Sequence, residues 1–301
     1  LILIKNTGGV KNRPYFLSPT IQDEQKIIMN PVPQKLASFR NFIWTFYEKE
    51  GREFEWRNVD NPYYVLVSEI MLQQTQTYRV EPKYRAFIDA FPDLESLASA
   101  SLRDVLGMWQ GLGYNRRGKF LHQAAQRVMQ EFRGNLPDDP AILVTLPGIG
   151  KNTAGSISAF AFNKPTIFIE TNIRTVFIHS FFKDQAEVHD NLILPLVEQT
   201  VDHDNPREWY YALMDYGVHL KKMVPNPSRR SKHHVVQSKF EGSDRQIRGA
   251  IIRALVQRPA LSESELSVIC NHDARVPNII QELEQEQLIE RDNDLFSIRN
   301  A

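Results

Sequence analysis

The sequence predicts an all-α protein closed by a small tail of different character. Between Leu36 and Leu220, apolar residues recur at helical spacing in one short stretch after another. Short polar turns separate these stretches, and no run sustains the alternation of a half-buried strand. From Glu241 three shorter helical patterns precede RDNDLFSIRN, which suits a small β-wing. At 301 residues, 42% hydrophobic and 24% charged, the chain has a globular composition and the length for two domains. No apolar run approaches the roughly 18–20 residues of a membrane span, and no signal-peptide pattern is visible.

In chain order, residues 1–30 carry no helical or strand pattern. They are expected to be an N-terminal extension, disordered or non-native, with Met29 as a plausible start. Leu36, Phe39, Ile43 and Phe46 form the first helical stripe, and 53–60 is a polar connection containing Trp56 and Arg57. Pro62 opens the next helix at a favourable first-turn position. Its Val65, Glu69, Leu72, Gln73 and Gln76 are expected on one face. A carboxylate among apolar and amide side chains must be paired or protonated if it is buried. The plain alternative is an exposed glutamate on a polar stripe. Helices follow at about 78–91, 94–98, 102–109, 115–132, 141–146, 172–182, 190–201 and 206–220. The expected domain is 31–220, followed by a basic linker, 221–240, and a winged-helix-like domain, 241–301. Such tails contact DNA or dock proteins, and the residues do not separate the two.

Charge gives no general support for nucleic-acid binding: 36 basic residues balance 36 acidic ones. A local patch between Lys221 and Lys239 (Lys221, Lys222, Arg229, Arg230, Lys232, Lys239, with His233 and His234) suits either a solvated linker or phosphate contact. The single cysteine, Cys270, excludes an intrachain disulfide and fits a reducing cytoplasm. It cannot by itself ligate a four-thiolate iron–sulfur cluster.

The chain is organised around Ile142–Val176, ILVTLPGIGKNTAGSISAFAFNKPTIFIETNIRTV, which reads as helix, tight turn, helix, loop, helix. Gly148 and Gly150 suit the turn because glycine tolerates left-handed conformations. The amides opening the next helix lack intrahelical partners and offer an anion site, with Lys151 adding positive charge. A loop then delivers Glu170 and Asn172 to a helix start. A plain helical hairpin with a surface acid is the alternative. Two further stretches are NPYYVLVSEIMLQQTQ (Asn61–Gln76) and GLGYNRRGKFLHQAAQ (Gly111–Gln126). With the hairpin, in this order and spacing, they resemble the helix-hairpin-helix (HhH-GPD) DNA glycosylases, and among them the MutY-type adenine glycosylases, over roughly Phe39 to Gly217.

The resemblance implies a two-lobed, endonuclease III-like fold and hydrolysis of an N-glycosidic bond by two carboxylates. It places Glu69 as the acid that protonates the base, and Glu170, supported by Asn172, where the family has its charge-stabilising aspartate. Arg57, Leu72 and Asn152 would line the base pocket. Asn152 holds the position of the lysine that forms a Schiff base in bifunctional relatives, so no imine is expected. Gln73, Gln74 and Tyr114 would fill the stack left by a flipped base, although ordinary core packing is open for Tyr114. Leu146, Gly148, Gly150 and Lys151 would hold DNA phosphate. A monovalent or divalent cation at the carbonyls of Val144, Leu146 and Ile149 is a further implication. Three departures accompany the match: Glu170 stands where the family has an aspartate, and there are two more. The region LKKMVPNPSRRSKHHVVQSK lacks the four cluster cysteines, and no Nudix-like domain fits the tail.

The resulting expectation is a monofunctional glycosylase for a mispaired base, adenine opposite guanine or 8-oxoguanine. It would act as a monomer on double-stranded DNA, with no membrane partner and a cytoplasmic, nucleoid-associated location. Excision of thymine or uracil opposite guanine, or of a damaged purine, is the alternative within enzymes. A non-catalytic DNA-binding protein is the alternative from another class.

Overall fold

Helical spacing becomes helices throughout the main body of the computed structural model, which describes residues 33–57, 59–236 and 238–299. The expected extension at 1–30 lies outside these residues. In order they form α1 (Pro33–Glu50), α2 (Pro62–Leu72), α3 (Thr77–Ala90), α4 (Leu94–Ser99), α5 (Leu102–Met108), α6 (Arg116–Phe132), α7 (Pro140–Leu143), α8 (Lys151–Phe162), α9 (Thr171–Phe181), α10 (Asp190–Thr200) and α11 (Pro206–Met223). One lobe gathers α2–α7. The other gathers α1 with α9–α11, and α8 joins them by packing on both α2 and α11. A continuous apolar core runs through both lobes, with Trp109 and Trp209 among its largest buried side chains.

α2 shows how local sequence sets an element. The Asn61 side chain accepts the Tyr63 amide at 3.0 Å, and Pro62 occupies the first turn. The helix stops at Leu72, short of the face expected to include Gln73 and Gln76. Buried Arg117 from α6 donates to the carbonyls of Ile70, Met71 and Gln73 at 2.9, 2.9 and 2.6 Å, so the last turn is capped from outside. Gln74 turns left-handed, with φ 54°, and Gln76 becomes the N-cap of α3. The expected single face is therefore corrected: Val65, Glu69 and Leu72 are on the helix, and the glutamines are in the turn beyond it.

The stretch expected as a linker from Lys221 is folded as far as Ser231. α11 continues to Met223, and Pro227–Arg230 forms a 3-10 turn. Arg230 donates to the carbonyls of Ile178, Phe182, Lys183 and Gln185 at 3.4, 2.6, 2.9 and 3.0 Å, capping the end of α9. Val188 and Ser231 form a parallel bridge beside it. One guanidinium and a bridge thus secure a region that carries no cysteine.

The tail contains α12 (Asp244–Gln257), β1 (Leu261–Ser262), α13 (Glu263–Ile269), α14 (Val276–Gln285), β2 (Ile289–Asp292) and β3 (Leu295–Ile298), with sheet order β1-β3-β2 and antiparallel pairing. This is the helix and strand order of a winged helix. Its core includes Leu102 and Leu106 of α5, so it is seated on the first lobe. Arg103 of α5 donates to the carbonyls of Leu255, Val256, Arg258 and Pro259, and Lys119 of α6 donates to that of Glu286 at 2.6 Å. Among the described residues no helix is long and apolar enough to cross a membrane.

Candidate active site

Four helix segments bring the two candidate carboxylates together where α8 joins the lobes. α2 presents Glu69 toward α8, the start of α9 presents Glu170, and the last turns of α11 stand behind Glu170. The Ser156 hydroxyl on α8 lies 2.5 Å from Glu69 Oε2 and 3.0 Å from the Thr153 carbonyl. When Glu69 is protonated, its O–H donates to Ser156, which donates in turn to Thr153. When Glu69 is ionised, Ser156 donates to it. The site is satisfied in both states. Burial pushes Glu69 up from 4.5 to about 7; the Ser156 hydrogen bond opposes the rise and the Glu170 charge adds to it.

Glu170 is the N-cap of α9. Its Oε1 accepts the amides of Asn172 and Ile173 at 2.6 and 2.9 Å, and its Oε2 accepts Asn172 Nδ2 at 3.2 Å. Lys221 Nζ on α11 donates to Asn172 Oδ1 at 2.7 Å. Burial pushes Glu170 upward; the Ile173 amide, the Lys221 charge, the Asn172 amide and the Arg174 charge pull it back. α11 reaches this depth because Gly217 backs against Asn172: a Cβ at 217 would stand 2.5 Å from the Asn172 carbonyl oxygen.

Gly217→Ala is therefore expected to be damaging despite alanine's higher helix propensity of about 1 kcal/mol. The obstacle is backbone, which cannot swing aside, and overpacking costs about 1–3 kcal/mol. Thermal melting should show a lower Tm, and base release should fall with the displaced Glu170. An unchanged Tm would remove the close approach from the account.

The other expected site residues divide into two groups. Asn152 is exposed at the start of α8, with Oδ1 3.5 Å from the Ile169 amide, next to Glu170. Leu72 is half-buried at the end of α2. These stand with the carboxylates. Arg57 stands behind them: it is buried, paired through both terminal nitrogens with Asp215 at 2.9 and 2.8 Å, and stacked 4.3 Å from the Tyr211 ring. Its guanidinium braces α11 through Asp215.

The hairpin and the rim make a second surface. Gly148 needs to be glycine twice over, with φ 76° and Phe120 Cβ only 2.8 Å from where its Cβ would be. Gly150, expected to be left-handed too, is not: its φ is −86° and a Cβ there would meet nothing within 4 Å. The fold itself does not require glycine at 150. A bare backbone there leaves room for something outside the protein. No side chain caps α8, so its first amides face outward beside exposed Lys151. Gln73 ties the end of α2 to this hairpin, donating to the Gly148 carbonyl at 3.3 Å and to Thr153 Oγ1 at 3.2 Å. Gln74 is exposed beside it. Tyr114 is no core residue: it is 37% exposed, has φ 48°, and lies against the guanidinium groups of Arg117 and Arg245.

Ser156, Tyr211, Asp215, Gly217, Lys221 and Arg245 were not singled out in the sequence as site residues. Gly217 inside a helical pattern and Lys221 in a basic patch are the visible signals. Among the described residues no three His, Cys, Asp or Glu side chains gather as a metal site. The hairpin carbonyls of Val144, Leu146 and Ile149 are neutral oxygens, and that of Leu146 already accepts the Ile149 amide at 3.2 Å. Each such oxygen keeps a second lone pair, so the donor set is compatible with a cation without requiring one.

A model of the HhH-GPD superfamily of base excision DNA repair proteins matches residues 67–192. An adenine DNA glycosylase of Mycolicibacterium smegmatis is 31% identical over 235 residues, covering 71% of this chain and 78% of that protein. The chain belongs to the adenine-glycosylase family of the HhH-GPD superfamily. Others of that family include the adenine DNA glycosylases of Buchnera aphidicola subsp. Baizongia pistaciae, 35% identical over 60% of this chain and 52% of that one, and of Mus musculus, 34% identical over 77% and 47%. The chain spans about half the length of these two relatives. A solved thermostable thymine-DNA glycosylase shares the fold, with a TM-score of 0.54 and 24% identity over 61% of this chain and 86% of that one. An endonuclease III–DNA complex does so with a TM-score of 0.52 and 13% identity over 62% and 85%. Glu69 and Glu170 lie inside the matched family segment; Gly217 and Lys221 lie outside it.

Proposed function

We propose that this chain is a monofunctional DNA glycosylase that releases adenine, flipped out of a mispair with guanine or 8-oxoguanine. The observation that carries this is Glu69, pushed up to about 7 and close enough to feel the charge of Glu170, whose two oxygens each accept hydrogen bonds at the start of α9. Glu69, protonated below about pH 7, gives its proton to the leaving base. Glu170, ionised, stabilises the oxocarbenium-like sugar, and water completes the hydrolysis. Asn152 offers no nucleophilic amine, so the product is an intact abasic site. Tyr114, Gln73 and Gln74 occupy the vacated stack, and the α8 amides with Lys151 hold a backbone phosphate. The working unit is the helical body, including the folded stretch to Ser231, with the docked tail, acting as a monomer on nucleoid DNA in the cytoplasm.

A panel of duplexes, each with one mispair or lesion, treated with protein and then alkali, tests this reading. Cleavage at adenine is expected only after alkali. Cleavage at thymine, uracil or a damaged purine would replace adenine as substrate. Cleavage before alkali would overturn the monofunctional assignment, and silence across the panel would leave a DNA-binding protein without chemistry.

A further inference from the structure

We propose that Lys221 is a positioning residue for base release, holding the Glu170 carboxylate through Asn172 and supplying the positive charge that favours its ionised form. The proposal rests on the two-carboxylate reading above. Lys221 lies in the stretch where the resemblance expects cluster cysteines, so this chain uses that stretch to support the site instead.

The first argument is about the orientation of an amide. An asparagine side chain can present either its oxygen or its nitrogen to a neighbour. Here Lys221, which is donor-only, stands 2.7 Å from one end of the Asn172 amide. That end must be the oxygen. The nitrogen is then directed to Glu170 Oε2, to which it donates at 3.2 Å. Without the ammonium the Asn172 oxygen loses its donor, and only the weaker contact to Glu170 Oε2, at 3.2 Å, still orients the amide. Gly217, one turn earlier on the same face of α11, sets the helix close enough for the lysine to reach.

The second argument is about chain length. Glutamate has one more rotatable bond than the aspartate expected at this position, so more freedom must be removed to fix its carboxylate. The helix amides of Asn172 and Ile173 hold Oε1. Asn172 Nδ2, oriented by Lys221, holds Oε2. The third argument is charge. The groups facing Glu170 are Glu69 from α2, Arg174 from α9 and Lys221 from α11. Arg174 is committed to Asp190 through two contacts of 2.7 Å. Lys221 makes no ion pair among the described residues, which leaves its charge available to Glu170.

Single-turnover base release should be measured on the duplex that the panel identifies, on both sides of neutral pH, for wild type, Lys221→Met, Lys221→Gln and Lys221→Arg. Lys221→Met should release base about tenfold or more slowly at neutral pH, because small misplacements of a reacting group are costly. Its acid limb should move to higher pH, since the cation favouring the carboxylate is gone. Lys221→Gln keeps a donor for Asn172 but not the charge, so the acid limb should move while less of the plateau rate is lost. Lys221→Arg should restore most of both, and duplex Kd should be unchanged in all three. A Lys221→Met rate within about twofold of wild type, with an unmoved acid limb, would overturn the proposal. So would a loss that Lys221→Arg does not relieve and that tracks a lowered Tm, which is a purely structural role. A borohydride-trapped adduct that disappears in Lys221→Arg would make the lysine a nucleophile and overturn it too. Glu170→Gln assayed alongside separates the two levels. If that variant is inactive while Lys221→Met is normal, only the Lys221 proposal fails; if it is fully active, the two-carboxylate reading fails.

Discussion

Glu69→Gln is expected to remove base release, by 10²- to 10⁴-fold in single turnover, while duplex binding is nearly unchanged. The amide fits the same space and can still bond to Ser156, but it has no acidic proton to give. The hairpin proposed to hold phosphate is untouched, so affinity should persist. The same group sets the basic side of the pH profile. Glu69 must carry its proton, so the wild-type rate should fall as pH rises through about 7. A linked stability effect has a definite sign. The folded-state value lies above the ordinary 4.5, so between pH 4.5 and about 7 the folded site keeps a proton that the unfolded chain has released. Stability therefore decreases as pH rises through that window. Glu69→Gln removes this term, and above neutral pH its Tm should exceed that of wild type. A variant that keeps its rate, or one whose Tm drops at alkaline pH, would show that Glu69 is not the acid argued here.

Glu170→Gln is expected to lose nearly all activity as well, because a neutral amide cannot stabilise a developing cation. Its oxygen can still accept the Asn172 and Ile173 amides, so the start of α9 should remain capped. Glu170→Asp is the more discriminating substitution. Aspartate is a good N-cap, so stability should hold. The carboxylate, however, withdraws by about one bond from Asn172 Nδ2 and from the cleft, and the rate should fall about tenfold or more. Increased activity in Glu170→Asp would mean that the glutamate marks a weakened site. Full activity in Glu170→Gln would end the assignment of the second carboxylate.

Much of the scaffold was legible because its causes are local. Pro62 opens α2 from its first turn, and Gly148 makes the hairpin by its left-handed backbone. The helical order and the strand-containing tail follow from periodicity of two kinds, which needs no knowledge of neighbours. Glu69 and Glu170 could be named as candidates from motifs resembling a family, but residue type could not say that Glu69 would be half-buried against Ser156.

What only the tertiary structure decided is where long-range partners fall. Arg117, remote in sequence, ends α2 and puts Gln73 and Gln74 in a turn. Asp215 pairs with Arg57 and makes it a brace for α11. The tail's Arg245 meets Tyr114 at the rim, 3.2 Å from its hydroxyl. Lys221, first read within a basic linker, lies on a helix pressed against Asn172. The reason is physical: a side chain's charge state and hydrogen-bond role depend on the few groups within a few ångströms of it, and in this fold those groups come from helices up to about 160 residues away along the chain.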